Sequence, residues 1–227
     1  AAELGDLPLA LHLAGSFLNR YRHSTKPANY LTQLRQSTLL NHRSLQLSDY
    51  FPQADALSPT KHMQHVERTF AYSYNQLNGN DFIDRLTKTL LAHAACFAPG
   101  EVISRSLLLK TLAEENEVED WQMENGLQRL VDLGLLEEAT EGALRLHRLV
   151  AYFVTNVNIE LFHEAQYAVE NTLVKFLEYY NEQMLLIWDQ STLIHIRYVT
   201  NTSRARTDKN TGTLCHQFGR YLYVLKI

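Results

Sequence analysis

Residues 135–147 read LLEEATEGALRLH, and this stretch decides the fold that the sequence predicts. Two short segments, LLEEA and ALRLH, flank the sequence Thr140-Glu141-Gly142. Two strand-like segments separated by a few residues that include glycine are typical of a β-hairpin. Gly134 ends a helical pattern just before the first segment. We therefore expect a helix that leads directly into a hairpin.

Three helical segments precede this hairpin, and together they predict a domain. They cover residues 82–97, 104–113 and 118–132. The sequence Asn78 to Asp81 ends an earlier helix over 61–77 and caps the next one. Three helices followed by a hairpin is the winged-helix pattern, which we place at residues 61–156. The apolar faces of the helices over 61–77 and 82–97 carry Met63, Val66, Phe70, Ser73 and Leu77, and then Phe82, Leu86, Leu90 and Phe97.

The chain before this domain predicts a small helical bundle at residues 1–60. In the stretch LGDLPLAL, at residues 4–11, Asp6 can cap a helix and Pro8 suits its first turn. A short helix follows near residues 29–36, and residues 38–60 have no regular pattern. The apolar face of the first helix carries Ala10, Leu13, Ala14, Phe17, Leu18 and Tyr21.

Residues 157–227 predict a helical linker and then α-helical hairpins. A long amphipathic helix covers about 159–186, and two further helices are split near 208–212. The predicted fold class is therefore mainly α: a small helical bundle, a winged helix with a short β-hairpin, and helical hairpins. The stripe of the long helix carries Phe162, Ala165, Val169, Leu173, Phe176 and Tyr180.

Composition excludes several classes of protein. The 227 residues are 45% hydrophobic and 20% charged, with a formal net charge of −4, so the chain as a whole does not attract nucleic acid or anionic membranes. No apolar run approaches the roughly 18 residues of a membrane span. Cys96 and Cys215 lie far apart in sequence, which favours buried thiols in a reducing compartment. We therefore expect a cytoplasmic protein.

A winged helix often binds DNA through its third helix, but the charges here oppose that function. This helix offers Arg129 against four carboxylates, and the hairpin adds three more where a DNA-binding wing carries Lys or Arg. A DNA-binding transcription regulator with a helical sensor domain is therefore the alternative hypothesis, and a protein-packing module is favoured. The carboxylates are Glu119, Asp120, Glu124 and Asp132, followed by Glu137, Glu138 and Glu141.

Several residues could in principle carry chemistry, yet a structural role suits each better. His62 and His65 have a spacing that can bind metal but lack a third ligand. His93 and Cys96 are also three apart, within an apolar helix that favours a buried structural thiol. We predict neither a metal site nor catalytic residues. The aromatic residues Phe176, Tyr179, Tyr180 and Trp188 are expected in packing surfaces, and Arg204 and Arg206 in a solvated basic patch.

Four segments, in this order, resemble the NB-ARC or STAND class of nucleotide-dependent switch proteins. LGDLPLALHLAGSFL (4–18) resembles the GLPLAL segment that opens the first helical subdomain after the nucleotide-binding core of that family. HVERTFAYSYNQL (65–77) is similar to the start of its winged helix. LRLHRLV (144–150) looks like its MHD-type motif, and LCHQFGRYLYVLKI (214–227) is similar to the first helix of a tetratricopeptide-type repeat.

The resemblance implies particular roles for a few residues. Pro8 would lie against the adenine and ribose of a nucleotide, and His147 would reach the β-phosphate of ADP; Leu9 and Arg148 are further candidates. The alternatives are that Pro8 only starts a helix and that a local backbone group satisfies His147. In the nucleotide role, loss of the His147 side chain would leave the fold almost unchanged. The sequence departs from the family at Asp6, where the family has Gly, and at Leu146 and Arg148, where it has Met and Asp.

By the same resemblance, the chain would be a regulatory piece of a longer protein. The sequence contains no GxxxxGK[ST] phosphate loop, so the chain itself is expected neither to be an enzyme nor to hold a nucleotide. ADP or ATP with Mg²⁺ would bind the intact protein. The expected partners are an upstream nucleotide-binding domain, a downstream repeat domain, and an unknown protein or small-molecule ligand. A nucleotide-dependent oligomer is expected, but no DNA and no membrane.

Overall fold

The computed structural model describes residues 4, 7–36, 62–112, 118–187 and 189–225. These parts are mainly helical and include a small antiparallel sheet, as the sequence predicts. The elements in chain order are α1 (Pro8–Arg20), α2 (Pro27–Gln36), α3 (His62–Tyr74), α4 (Phe82–Cys96), β1 (Val102–Ile103), α5 (Arg105–Lys110), α6 (Asp120–Asp132), β2 (Glu137–Glu138), β3 (Leu144–Arg145), α7 (Arg148–Val157), α8 (Ile159–Glu182), α9 (Gln190–Ser203) and α10 (Lys209–Leu225).

The predicted hairpin is confirmed, and a further strand joins it. β2 and β3 pair antiparallel, and a single 3₁₀ turn at Thr140–Gly142 connects them. β3 is also the central strand, because β1 pairs with its other edge to give the order β1-β3-β2. Arg145 therefore lies opposite Val102 on one side and opposite Glu137 on the other. The sequence analysis did not predict β1, which is only two residues long.

α1 begins as predicted at Pro8, whose missing N–H is not needed in the first turn. The N-cap residue is Leu7, with extended backbone and no side-chain cap, so the cap position is one residue later than predicted. Asp6 itself lies outside the described residues. The predicted apolar face is confirmed: Ala10, Leu13, Ala14 and Phe17 are buried.

α3 connects the N-terminal helices to the rest of the molecule. It packs against α1, α2 and α7. The Tyr72 ring meets the rings of Phe17 and Tyr30 edge-on at 4.8 and 5.0 Å, and the Phe70 ring stacks on Phe153 of α7 at 5.6 Å. The helix ends at Tyr74, three residues before the predicted end. The domain boundaries at residues 60 and 156 stay a prediction.

α4 is the central helix, since it packs against α5, α6, α7 and α8. Asp81 caps it as predicted, because its carboxylate accepts a hydrogen bond of 2.9 Å from the Asp84 N–H. Leu86, Leu90 and Phe97 are buried. Phe82 was wrongly assigned to the apolar face: it is the first helical residue and is 44% exposed.

Three other helix boundaries differ from the prediction for local reasons. α2 begins at Pro27, two residues early, because proline is well suited to the first helical position. α5 covers only Arg105–Lys110 and not 104–113. α6 begins at Asp120 and not at residue 118, because the Glu119 and Gln122 side chains form a reciprocal capping box.

Of the C-terminal helices, α10 packs against both α8 and α9. α8 ends at Glu182, four residues before the predicted end, and Met184 has a left-handed backbone with φ of 51°. Asn181 bonds Gln217, and Glu170 bonds Asn210, so α8 and α10 run in the same direction. The predicted α8 stripe is confirmed, with Ala165, Val169 and Leu173 buried. Each helix in the described ranges is too short or too polar to cross a membrane.

Candidate functional site

His147 lies between the central strand of the sheet and α7. It follows β3 closely and is the N-cap residue of α7. The preceding Leu146 is buried, and its carbonyl accepts a hydrogen bond of 3.0 Å from the Gly100 N–H. The backbone that leads into His147 is therefore fixed, and the imidazole has a defined position.

The two ring nitrogens of His147 have different surroundings. Nδ1 accepts a hydrogen bond of 3.2 Å from the Leu149 N–H, so the side chain caps α7. A neutral ring in this arrangement carries its proton on Nε2. Within the described residues, Nε2 has no hydrogen-bond partner, and the side chain is half-buried. His147 therefore has both a local backbone bond and a remaining N–H donor.

Charges near His147 affect its protonation. Burial lowers the pKa of the imidazole; Glu137 raises it, and Arg148 lowers it again. The balance favours the neutral ring at pH 7, with one N–H donor and no charge. Such a ring can donate to a phosphate oxygen without a change in its protonation state.

The other three predicted site residues lie on the surface or at its edge. Pro8 is exposed and Leu9 is half-buried at the start of α1. Arg148 is exposed at the first position of α7, and no ion pair joins it to another described residue. α1 packs chiefly on α3 and α6, while α7 packs chiefly on α3, α4 and α8. The helices that carry the two pairs of residues therefore both pack on α3.

α1 is attached to the turn that precedes the hairpin. Gly134 has φ of +70°, and a Cβ atom there would lie 2.7 Å from the Ser16 Oγ and 3.2 Å from the His12 Nε2. Only glycine can adopt this positive φ and also leave room for the Ser16 and His12 side chains without strain. Arg20 at the end of α1 also forms an ion pair with Asp132 at the end of α6. α1 is thus closely joined to the end of α6 and to the turn that precedes the hairpin.

Arg129 of the predicted recognition helix and Arg105 of the preceding helix form internal ion pairs. Arg129 on α6 pairs with Asp84 and, at 3.5 Å, with Asp81. Arg105 on α5 pairs with Glu124 and, at 3.9 Å, with Glu138 of the hairpin. These contacts neutralise two of the cations that a DNA-binding surface would present to phosphates.

His93 and Cys96 do not form a nucleophile pair. The His93 Nδ1 lies 2.7 Å from the hydroxyl of Thr111, which donates its own proton to the Leu108 carbonyl, so Nδ1 is the donor. The Cys96 thiol lies 3.3 Å from the Ala92 carbonyl oxygen, and burial raises its pKa. The thiol is a buried structural group, as the sequence analysis favoured.

A second histidine beside the sheet was missed by the sequence analysis. His195 of α9 is fully buried; its Nδ1 accepts from the Ala98 N–H at 3.1 Å, and its Nε2 donates to the Val102 carbonyl at 2.9 Å. Its ring meets Phe97 edge-on at 5.2 Å. The only available signal was its position, one residue before Ile196 on the buried face of α9. His195 holds α9 against β1.

The prediction that Arg206 belongs to a solvated patch is wrong. Its guanidinium pairs with Glu170, whose side chain is only 2% exposed, and with Asp208 at 3.1 Å. The partner lies 36 residues away in sequence, so the local pattern could not reveal it. Arg204 is exposed.

The aromatic residues that were expected in packing surfaces differ in their burial and contacts. Phe176 and Tyr180 stack at 4.5 Å, Tyr179 is 58% exposed, and Trp188 lies outside the described residues.

Possible metal ligands do not cluster in the described ranges: no three His, Cys, Asp or Glu residues there could hold one ion. The side chains of His62 and His65 lie outside what the structure describes.

A scan of the chain against models of protein families, and a search among curated proteins, found no match.

Proposed function

We propose that this chain is a regulatory part of a nucleotide-dependent switch protein of the NB-ARC or STAND class. The observation that carries this proposal is the division of roles within His147. One nitrogen caps α7, and the other is left as a neutral N–H donor beside the end of the central strand. In the intact protein this donor would bind the β-phosphate of ADP.

We further propose that residues 61–156 form a winged-helix domain, whose three helices and hairpin lie within residues 82–147. The order helix, strand, helix, helix, hairpin supports this, as does the position of β3 between β1 and β2. His147 lies between β3 and α7 and caps α7, so a ligand at the imidazole would be coupled to both the sheet and a buried helix. This module would act by packing against an upstream nucleotide-binding domain.

The chain's own residues supply two parts of such a switch. His147 orients a hydrogen-bond donor toward the phosphate, and Pro8 with Leu9 presents an apolar edge at the start of α1 for the base and sugar. The phosphate loop and the Mg²⁺ ligands would come from the upstream domain, because this sequence has no GxxxxGK[ST] motif. A contact made in the ADP state and lost in the ATP state is what shifts a two-state equilibrium.

Signal reception would come from the other end of the chain. α9 is attached to β1 through His195, so movement of the C-terminal helices would act on the same sheet that positions His147. A downstream repeat domain that binds a ligand could thereby favour the open, oligomerising state. DNA regulation is less well supported, because Arg105 and Arg129 are paired with carboxylates.

The experiment that tests this proposal uses the longer protein encoded around this chain. We expect that protein to contain a phosphate loop upstream, to bind ADP in a calorimetric titration, and to leave labelled duplex DNA unshifted at about 100 mM salt. Absence of ADP binding, together with a salt-dependent shift of duplex at submicromolar protein, would support the transcription regulator instead.

A further inference from the structure

A cavity of about 230 Å³ lies between the end of α4 and helices α7, α8 and α9. Its floor is buried and includes Cys96 and Glu170, whereas Thr202 at its mouth is exposed. Phe162 and Tyr198, both half-buried, form part of its walls. The cavity is therefore open to solvent at one end and closed by protein at the other.

Among the described residues that line the cavity, Glu170 is the charged one. The carboxylate of Glu170, with the residue only 2% exposed, accepts hydrogen bonds from the Arg206 guanidinium and, at 3.0 Å, from the Asn210 amide. The same guanidinium also pairs with Asp208. Asp208 does not line the cavity, and its carboxylate also accepts a hydrogen bond of 2.8 Å from the Thr211 N–H at the start of α10. Each oxygen of Glu170 keeps capacity for a further hydrogen bond.

The walls supply aromatic surface and further polar groups. The Gln166 amide oxygen accepts from Arg206 at 3.2 Å, and among the described residues its NH₂ group has no hydrogen-bond partner. The Tyr198 hydroxyl likewise has none in those ranges. Aromatic faces beside a buried carboxylate attract a cation, whereas an anion would be repelled by Glu170.

We propose that this cavity binds a small organic cation, a primary amine with a single ring or a short aliphatic body. The ammonium group would bond the free lone pairs of Glu170, and the body would lie between Phe162 and Tyr198. The volume is below the roughly 300–1,000 Å³ of sites for drug-sized ligands, which limits the ligand to about one ring. This site is independent of the proposed nucleotide contact.

The test is calorimetric titration of the whole chain with three probes of similar shape. These are 2-phenylethylamine, which is a cation at pH 7, the neutral 2-phenylethanol, and the anion 3-phenylpropionate. We expect the amine to bind at least about tenfold more tightly than the alcohol, and the anion not to bind, because a charge-assisted hydrogen bond forms only with the amine.

Two tryptophan variants locate the site. Thr202→Trp should block the mouth and abolish amine binding; the Thr202 hydroxyl bonds only carbonyls of its own helix, so the fold should tolerate the change. Asn201→Trp is the matched control, one residue away, exposed and outside the cavity lining. Absence of amine binding at millimolar concentration, equal binding of amine and alcohol, or equal binding by both variants would overturn the proposal.

Discussion

Two histidines lie beside the small sheet, and they use their ring nitrogens differently. His195 is fully buried, and both of its nitrogens bond backbone groups next to β1. His147 follows β3 and is half-buried, with one nitrogen bonded to the backbone of α7. A histidine whose two nitrogens both bond the chain can only stabilise it. A histidine with one remaining donor can do that and also bind an external group.

The comparison also distinguishes two regions of the molecule. On the β1 side, α9 is held by a buried contact that leaves the imidazole no capacity for another partner. On the β3 side, the half-buried imidazole is held by one cap bond within the part of the chain that the structure describes. We therefore expect changes on the β1 side to affect stability strongly, and changes at His147 to affect stability little and ligand binding more.

The largest effect is expected for His195→Ala. It removes a buried ring and leaves the Ala98 N–H and the Val102 carbonyl without their partner, which should lower the free energy of unfolding by about 4 kcal/mol. Urea unfolding measures this. His163→Ala, at an exposed position on α8, is the control and should change stability by less than about 0.5 kcal/mol. A loss below about 1 kcal/mol for His195→Ala would refute its structural role.

The next effect is a loss of stability in acid. Burial lowers the pKa of His93 to about 4 and also lowers the pKa of His195. The unfolded chain therefore binds more protons than the folded chain as the pH falls from about 6.5 to 4, and stability decreases over that range. His93 accounts for about 3 kcal/mol of the free energy of unfolding that is lost over this pH range.

Urea unfolding at several pH values isolates that contribution. His93→Leu removes the proton uptake, so its stability should depend less on pH between 6.5 and 4 than that of the unchanged chain. Parallel pH profiles for the two proteins would show that His93 is not held neutral by burial.

A smaller effect tests how α1 is joined to the turn that precedes the hairpin. Gly134→Ala places a Cβ atom against Ser16 at a backbone φ of +70°, and should cost about 2–3 kcal/mol. Gly142→Ala has a similar φ of +73° but open space around it, so only the backbone term of about 1 kcal/mol applies. Urea unfolding gives the loss in free energy of unfolding for each variant, and the difference between the two losses reports how tightly α1 packs against Gly134. Equal losses would mean that the contact contributes nothing.

The smallest effect on stability is expected at His147. His147→Ala removes the cap of α7 and should cost about 1 kcal/mol. His147→Ser keeps a side-chain acceptor at the N-cap and should restore most of that loss. Thermal melts of the two variants separate the capping function of the residue from any other. A serine variant as unstable as the alanine variant would show that capping is not what the imidazole contributes.

Local patterns predicted much of the fold. The spacing of apolar residues located α1 and α8, and the Thr140-Glu141-Gly142 turn located the hairpin. Helix ends were less accurate, because they depend on caps such as the Glu119–Gln122 pair, in which side chains compete for a few backbone groups. For the nucleotide role, the sequence analysis expected loss of the His147 side chain to be neutral for the fold. The alternative that it weighed, a local backbone bond, is present as the cap that Nδ1 accepts from the Leu149 N–H.

Those local patterns could not predict contacts between residues that lie far apart in the sequence. β1 is two residues long and exists because β3, some forty residues later, pairs with it. Arg206 resembles a surface arginine in sequence, yet it neutralises a buried carboxylate on another helix. His195 likewise acquires its role only when α9 meets β1. In each case the partner, and not the local sequence, determines what the residue does.

The most direct test of the central claim is ADP affinity in the longer nucleotide-binding protein to which, by the proposed function, this chain belongs. We expect His147→Ala and His147→Ser to weaken ADP binding by about ten- to hundredfold, because both lose one hydrogen bond to a charged phosphate. The serine variant should do so with its melting temperature almost unchanged, and His163→Ala should bind ADP normally. If the serine variant keeps the ADP affinity of the unchanged protein, His147 is a helix cap alone and the nucleotide contact is contradicted.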